Sequence, residues 1–307
     1  MHPIIQTHIK TKGGIKTVSP VGTWKMMIFS PEMDNAEKYG YSFEILWGYT
    51  FDKKVIFKDY VDNLYSLRNQ YSKSDPQNYL AKILLNSLYG RFGMSEILSE
   101  FKIYSKEDFQ KLPIEKLISL VDQLDLTEYI LAEFKTENLI EKESDISIGI
   151  AAAITSYSRI AMTIFKNNPN IRLFYTDTDS IYTDSELDES FIDSKILGKL
   201  KLENVIKKAI FLAPKMYCLE LENGNIISKV KGLKTAKELS FSDFQDLLKK
   251  DHKIEKSHIK WFRQLDKGLI ELKDQIYTLS KTENKRELIF NSNNTLIGTK
   301  AFNNKCK

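Results

Sequence analysis

The amino-acid sequence predicts an α+β protein with an antiparallel sheet and a helical hairpin, on three observations. Residues 57–94 read as two successive helices joined by a short turn. The run FYTDTDSIYTD, residues 174–184, reads as two strands broken by a polar tip, because strands favour aromatic and β-branched residues and tolerate aspartate poorly. Asn223 and Gly224, inside APKMYCLELENGNIISKVKGLK, stand between alternating segments and mark a hairpin. At 307 residues the chain exceeds one small core, so two or three subdomains sharing one sheet are expected.

In chain order, residues 1–56 alternate turn signals with apolar runs such as WKMMIF and FEILWGYTF, which predicts strands around one short helix, SPEMDNAEKY. Ser30 is its expected cap and Pro31 its first position. Phe57, Tyr60, Val61, Leu64, Leu67 and Tyr71 then follow one helical face to about Ser72. Asp75 and Pro76 start the second helix, and Gly90 with Gly93 are expected to end it.

Residues 95–145 are acidic and mixed, with helical pieces around SKEDFQKL and PIEKLISLVDQL. ISIGIAAAITSYSRIAMTIF, 146–165, is apolar nearly all round and suits a helix buried against a sheet. If the turn at Asn223-Gly224 has two residues, Lys215 pairs with Gly232, and Lys231 faces away from Lys215 unless a bulge intervenes. After 237 the pattern reads as helical and strongly basic, with KKDHKIEKSHIKWFRQL and KTENKR.

Composition narrows the class. A formal charge of +4 permits a polyanionic partner without demanding one. Two cysteines, Cys218 and Cys306, and four histidines give neither a disulfide framework nor a zinc spacing. No apolar stretch approaches the roughly 20 residues of a membrane span. The N-terminus resembles neither a secretory signal nor an Arg- and Ser-rich import leader.

Two clusters carry candidate chemistry. Asn78, Lys82, Asn86 and Tyr89 fall within one stripe of the second helix, with Leu80, Leu84 and Leu88 pointing away. A solvated face usually carries several Glu and Lys, whereas this one has amides and an aromatic ending on glycine; its lysine would suit a triphosphate, and the tyrosine beside Gly90 a base or sugar. In an extended chain Asp177 and Asp179 share a face, and two like charges so close call for a divalent cation. A solvent-exposed turn is the plainer alternative for an isolated Asp-x-Asp. Lys215 and Tyr217 share one face of their strand, and Lys229, Lys231 and Lys234 cluster on its partner. Lysine neutralises a phosphodiester backbone and a phenol can hydrogen-bond it.

Taken in order, KILLNSLYGRFG, YTDTDS, PKMY and KVKGLK resemble the family B DNA polymerases, most closely the protein-primed branch of linear mitochondrial plasmids and related phages. The resemblance implies a right-hand architecture. Residues 1–56 would be a palm-associated segment, 57–94 the fingers, 95–236 the palm and 237–307 a basic, mostly helical thumb. It also implies roles. Lys82 would grip the triphosphate, Asn86 the nucleotide, and Tyr89 with Gly90 would form the wall under the nascent base pair. Arg68 would be a further phosphate contact, matched by position alone. Asp179 would be the principal metal ligand and Asp177 its partner, both catalytic. Tyr175, Thr178 and Ser180 would lie near the primer end. Lys215 with Tyr217, and Lys231 with Gly232, would hold the primer terminus.

The implied cofactor is magnesium and the implied partners are primer-template DNA and deoxynucleoside triphosphates. A terminal priming protein and a separately encoded N-terminal polymerase part are further implied partners, with no membrane, and the implied location is the mitochondrion. The family's DxxSLYP aspartate and its exonuclease motifs are not found in the sequence. The chain therefore reads as the C-terminal part of a polymerase, expected not to extend a primer alone. Two alternatives stand: a non-catalytic DNA-binding remnant, and an Asp-x-Asp nucleotide-sugar transferase that would leave Lys82, Asn86 and Tyr89 unexplained.

Overall fold

The computed structural model describes residues 2–11, 14–94, 99–135, 146–264, 269–282 and 285–304. It is a mixed helix-and-strand protein. The N-terminal segment forms the hairpin β1 (Thr7–Thr11) and β2 (Gly14–Val18), the short β3 (Val21–Gly22) and helix α1 (Ser30–Glu37). Phe29 rather than Ser30 is the N-cap of α1, with no side-chain cap bond and with proline in the first turn. The runs 23–29 and 41–56 form no strand, against the expectation: among the described residues only the Thr23 N–H, which reaches the Asn304 carbonyl at 3.2 Å, continues a ladder into either run.

Helices α2 (Lys58–Gln70) and α3 (Pro76–Phe92) form the expected antiparallel pair. The Asp75 carboxylate accepts from the Gln77 N–H at 2.8 Å, as a cap should. Helix α3 runs through Gly90 and stops before Gly93, so Gly90 does not end it. Asn78 is buried, and its amide donates to the carbonyls of Arg68 at 2.8 Å and Tyr71 at 2.9 Å. It closes the C-terminal end of α2, where carbonyls lack helical partners. The apolar face of α3 is not packed away: Leu80 and Leu84 are exposed.

Next come β4 (Ser99–Ser105), α4 (Lys106–Gln110), α5 (Ile114–Ile118), β5 (Leu120–Leu126) and β6 (Tyr129–Lys135). The strands form a sheet in the order β4-β6-β5. The two expected helical pieces exist, but VDQL belongs to β5. Residues 136–145 and Cys306 lie outside the described residues.

Helix α6 (Ile148–Lys166) is long and apolar enough to cross a bilayer, which corrects the expectation that no stretch is. Arg159 on α6 forks onto Glu32 of α1, Nε to Oε1 at 2.6 Å and Nη2 to Oε2 at 2.7 Å. Thr163 adds a bond from Asn35 at 3.3 Å, so α1 is fixed to α6 by polar contacts that periodicity did not disclose.

The strands β7 (Leu173–Asp177) and β8 (Ser180–Thr183) form one antiparallel hairpin. The strands β9 (Ile206–Ala213), β10 (Met216–Leu221) and β11 (Ile226–Val230) form a separate sheet in the order β11-β10-β9. One shared sheet was the expectation; instead the described strands form small separate sheets. The face of β10 and β11 bearing Met216, Cys218 and Val230 packs with Leu233, Leu239, Phe244, Leu247 and Leu279 into the main core. Helix α7 (Phe241–Asp246) starts there on a reciprocal capping box between Ser240 and Asp243.

The remainder is stranded, not helical: β12 (Ile254–Gln264), β13 (Leu269–Leu279), β14 (Glu287–Phe290), β15 (Leu296–Lys300) and β16 (Asn303–Asn304). The helical reading of KKDHKIEKSHIKWFRQL fails because its burial alternates, with Ile254, Lys256 and His258 more buried than Glu255 and Ser257 between them. Strand β16 runs parallel to β3, and Gly22 at φ 114° leaves no room for a Cβ beside the Asn304 carbonyl.

The chain divides into two compact units. One comprises Met1–Leu85, Ala153–Lys256 and Tyr277–Lys307, the other Asn86–Ala152 and Ser257–Ile276.

Candidate functional site

The site rests on two tight turns. In the first, Asp177 pairs with Ser180, so Thr178 and Asp179 make a two-residue turn between β7 and β8. Thr178 takes φ 58°, the left-handed conformation that a two-residue hairpin turn demands of its first central residue and that β-branched residues avoid. An extended course through 177–179 would have put both carboxylates on one face; the turn corrects that. Asp177 is partly buried at the end of β7, whereas Asp179 is exposed and its side chain has no partner among the described residues. The Thr178 hydroxyl donates to Asp177 Oδ1 at 3.2 Å and the Ser180 hydroxyl to the Asp177 carbonyl at 3.1 Å.

The second turn, Pro214-Lys215, joins β9 to β10. Lys215 also takes a left-handed φ, 59°, so it lies in the turn and does not share a strand face with Tyr217 as expected. Its N–H donates to the Tyr175 phenol oxygen at 2.7 Å. Its ammonium donates to Asp177 Oδ1 at 2.5 Å and Oδ2 at 2.7 Å. The hydrogen bond to Asp177 holds the Lys215 ammonium above the ordinary lysine range.

Four rings dock this hairpin on the β9–β11 sheet. Tyr175 stacks on Phe211 with centroids 4.9 Å apart, and Tyr217 lies 5.6 Å from both Tyr175 and Tyr182. The Tyr182 hydroxyl donates to that of Tyr217 at 3.2 Å. Burial, then the bond to Tyr217, pushes the Tyr182 phenol well above the tyrosine range. Sequence reasoning missed Tyr182 and Phe211. Tyr182 stands opposite Tyr175 in the two-residue-turn register, so counting back from the turn would have found it.

The β10–β11 loop has three residues, 222–224, since Glu220 pairs with Ile226 and the Leu221 N–H reaches the Asn225 carbonyl at 2.9 Å. Gly224 supplies the positive φ, 81°, that such a loop requires. The extra residue shifts the register by one, so the Lys231 N–H donates to the Lys215 carbonyl at 3.0 Å where Gly232 was expected. Lys231 thereby comes opposite Lys215. Tyr277 of β13 donates its hydroxyl to the Lys231 carbonyl at 2.9 Å and lies beside Gly232. Lys229, Lys231 and Lys234 are exposed.

The other predicted residues sit on the helical pair. Lys82, Asn86 and Tyr89 are exposed along α3, and their side chains make no hydrogen bond or ion pair among the described residues. Gly90 has open space where a Cβ would stand. Arg68 is partly buried on α2.

Among the described residues no three His, Cys, Asp or Glu side chains gather in a way that could hold a metal. At the tip Asp179 has no side-chain partner among the described residues, and the Asp177 carboxylate is bonded by Lys215.

With these motifs in this order on a mixed fold, the chain belongs to the type B DNA polymerases of organelles and viruses, whose family model matches residues 1–171. That match ends before the aspartate hairpin. It is similar to a probable DNA polymerase of Ascobolus immersus, 37% identical over 97% of this chain and 25% of that protein. One of Neurospora intermedia is 35% identical over 89% of this chain and 28% of its own length. The DNA polymerase of Bacillus phage Nf is 26% identical over 62% of this chain and 30% of that protein. The chain thus spans about a quarter of the length of its fungal relatives. Among solved structures, Phi29 DNA polymerase in an orthorhombic crystal form matches 72% of this chain and 38% of its own, at 22% identity and a TM-score of 0.46.

Proposed function

We propose that the chain is the C-terminal part of a DNA-directed DNA polymerase that adds deoxynucleotides to a primer 3′ end, in protein-primed replication of a linear plasmid in the mitochondrion. The convergence of Tyr175, Lys215 and Tyr217 on the Asp177 end of the hairpin carries this reading, because it brings two separate sequence motifs to one place. Residues 57–94 would be the fingers, 95–236 the palm and 237–307 the thumb.

In this reading Lys82 neutralises the triphosphate, Asn86 orients the nucleotide, and Tyr89 beside Gly90 offers a flat surface to the base, with Arg68 as a further phosphate contact. Tyr217 presents its phenol to the primer terminus, and the exposed Lys229, Lys231 and Lys234 follow the phosphodiester backbone. The β12–β13 hairpin, where Phe262 lies within 6 Å of both Lys260 and Lys273, suits the thumb's contact with duplex DNA. Asp179 is the principal ligand proposed for magnesium, the cofactor the family reading implies, and Asp177, held by Lys215, is its less direct partner. A terminal priming protein remains the proposed partner that starts synthesis.

The test is magnesium-dependent primer extension by the purified chain, alone and with the portion of the Ascobolus relative outside its matched quarter, with Asp179→Ala as control. We expect none alone and template-directed synthesis in the mixture, abolished by Asp179→Ala. Synthesis that survives Asp179→Ala would overturn the assignment of Asp179. A chain that binds primer-template yet never extends it would be a DNA-binding remnant.

A further inference from the structure

We infer that residues 43–51 are an unpaired β-strand that docks edge-on with a strand from the part of the polymerase outside this chain, an inference that rests on the polymerase reading above. The segment alternates with one break: Phe43, Ile45, Trp47, Tyr49 and Phe51 are apolar, with Glu44, Gly48 and Thr50 between them and Leu46 alone breaking the polar side. That is the period of a strand, in the residue types that strands favour. Trp47 and Tyr49 even contact each other edge to face, with centroids 5.5 Å apart, as side chains two apart on one face can.

Yet the segment forms no strand, and beyond Phe43, which is half-buried and stacks on Tyr41, its apolar side chains are exposed. Ile45 is 77% exposed, Trp47 63%, Tyr49 70% and Phe51 72%. Among the described residues, the backbone of 42–56 makes no hydrogen bond. Single exposed apolar residues are ordinary, whereas a contiguous apolar run with unpaired backbone is an interaction surface. A partner that satisfies both needs is a strand, whose main chain takes the hydrogen bonds while its sheet covers the odd-numbered side chains.

Its source follows from the relatives. The Ascobolus protein matches 97% of this chain while only a quarter of its own length is matched. The matched region is therefore joined there to about three times its length of further chain, which can supply the strand. Pairing with a second copy would instead leave a sheet edge prone to aggregation.

The experiment is amide hydrogen exchange on the full chain, alone and mixed with the Ascobolus portion outside the matched quarter. Alone, amides 43–51 should exchange freely at every concentration. In the mixture every second amide should slow by at least about tenfold, since one edge of a strand uses alternate N–H groups. The double variant Trp47→Ser, Tyr49→Ser should lose this protection while keeping the wild-type melting temperature. Protection that appears in the chain alone, or grows with its own concentration, overturns the inference in favour of an internal pairing or a second copy. So does failure to bind, or binding with 43–51 unprotected. Primer extension in the same mixture separates the two readings: protection without extension leaves the docking and sinks the polymerase, and extension without protection does the reverse.

Discussion

The Lys215 ammonium bonds both carboxylate oxygens of Asp177, at 2.5 and 2.7 Å, across 38 residues of sequence. One contact joins the aspartate hairpin to the Lys-x-Tyr turn, and it makes Asp177 and Asp179 unequal.

Removing that contact should cost little stability. Half of the Lys215 side chain is in water, so Lys215→Ala should destabilise by less than about 1 kcal/mol. Asp177 raises the folded-state pKa of Lys215 above 10.5, so this stabilisation is complete below 10.5 and disappears as pH rises through the raised value. Melting temperatures of wild type and variant should differ by a constant amount near neutrality and converge in strong alkali.

Asp179→Ala should leave stability unchanged to within about 0.5 kcal/mol, because its side chain is exposed and unpartnered among the described residues. Urea unfolding measures this. Lost activity with intact stability would mark Asp179 as functional rather than structural.

Asn78→Ala should destabilise by about 2 kcal/mol, since it strips the Arg68 and Tyr71 carbonyls of a buried donor. Exchange of α2 amides should quicken with it. Unchanged unfolding would show that water replaces the amide.

Glu32→Ala should cost about 3 kcal/mol, the lower end for a broken buried pair, because Arg159 keeps a third of its side chain exposed. Changing both Glu32 and Arg159 to methionine should cost much less, as no charge is then left unpaired. A double-mutant cycle in urea separates the two outcomes.

Primer-template binding should weaken steeply with salt, and each of Lys229→Ala, Lys231→Ala and Lys234→Ala should lower the slope of log K against log salt by about 1. A slope unmoved by all three would place the DNA elsewhere.

The local elements were legible in the sequence because their causes are local. The three-and-four spacing from Phe57, Asp75 with Pro76, and the apolar run of α6 each act within a few residues. The two hairpins were legible for the same reason. What failed was non-local. Lysine-rich β12 read as a helix because its alternation shows only in burial beside β13, and FEILWGYTF read as a formed strand although pairing needs a partner.

By itself the sequence determined the order of the motifs, and with it the family: the helix bearing Lys82, Asn86 and Tyr89, then the Asp177–Asp179 tip, then Lys215 and Tyr217. Only the tertiary structure decided what each carboxylate touches. One residue more in the β10–β11 loop sets the backbone bond from Lys231 to Lys215, and a left-handed Lys215 delivers its ammonium to Asp177. Register and turn conformation fix such contacts, and neither is a property of residue spacing alone.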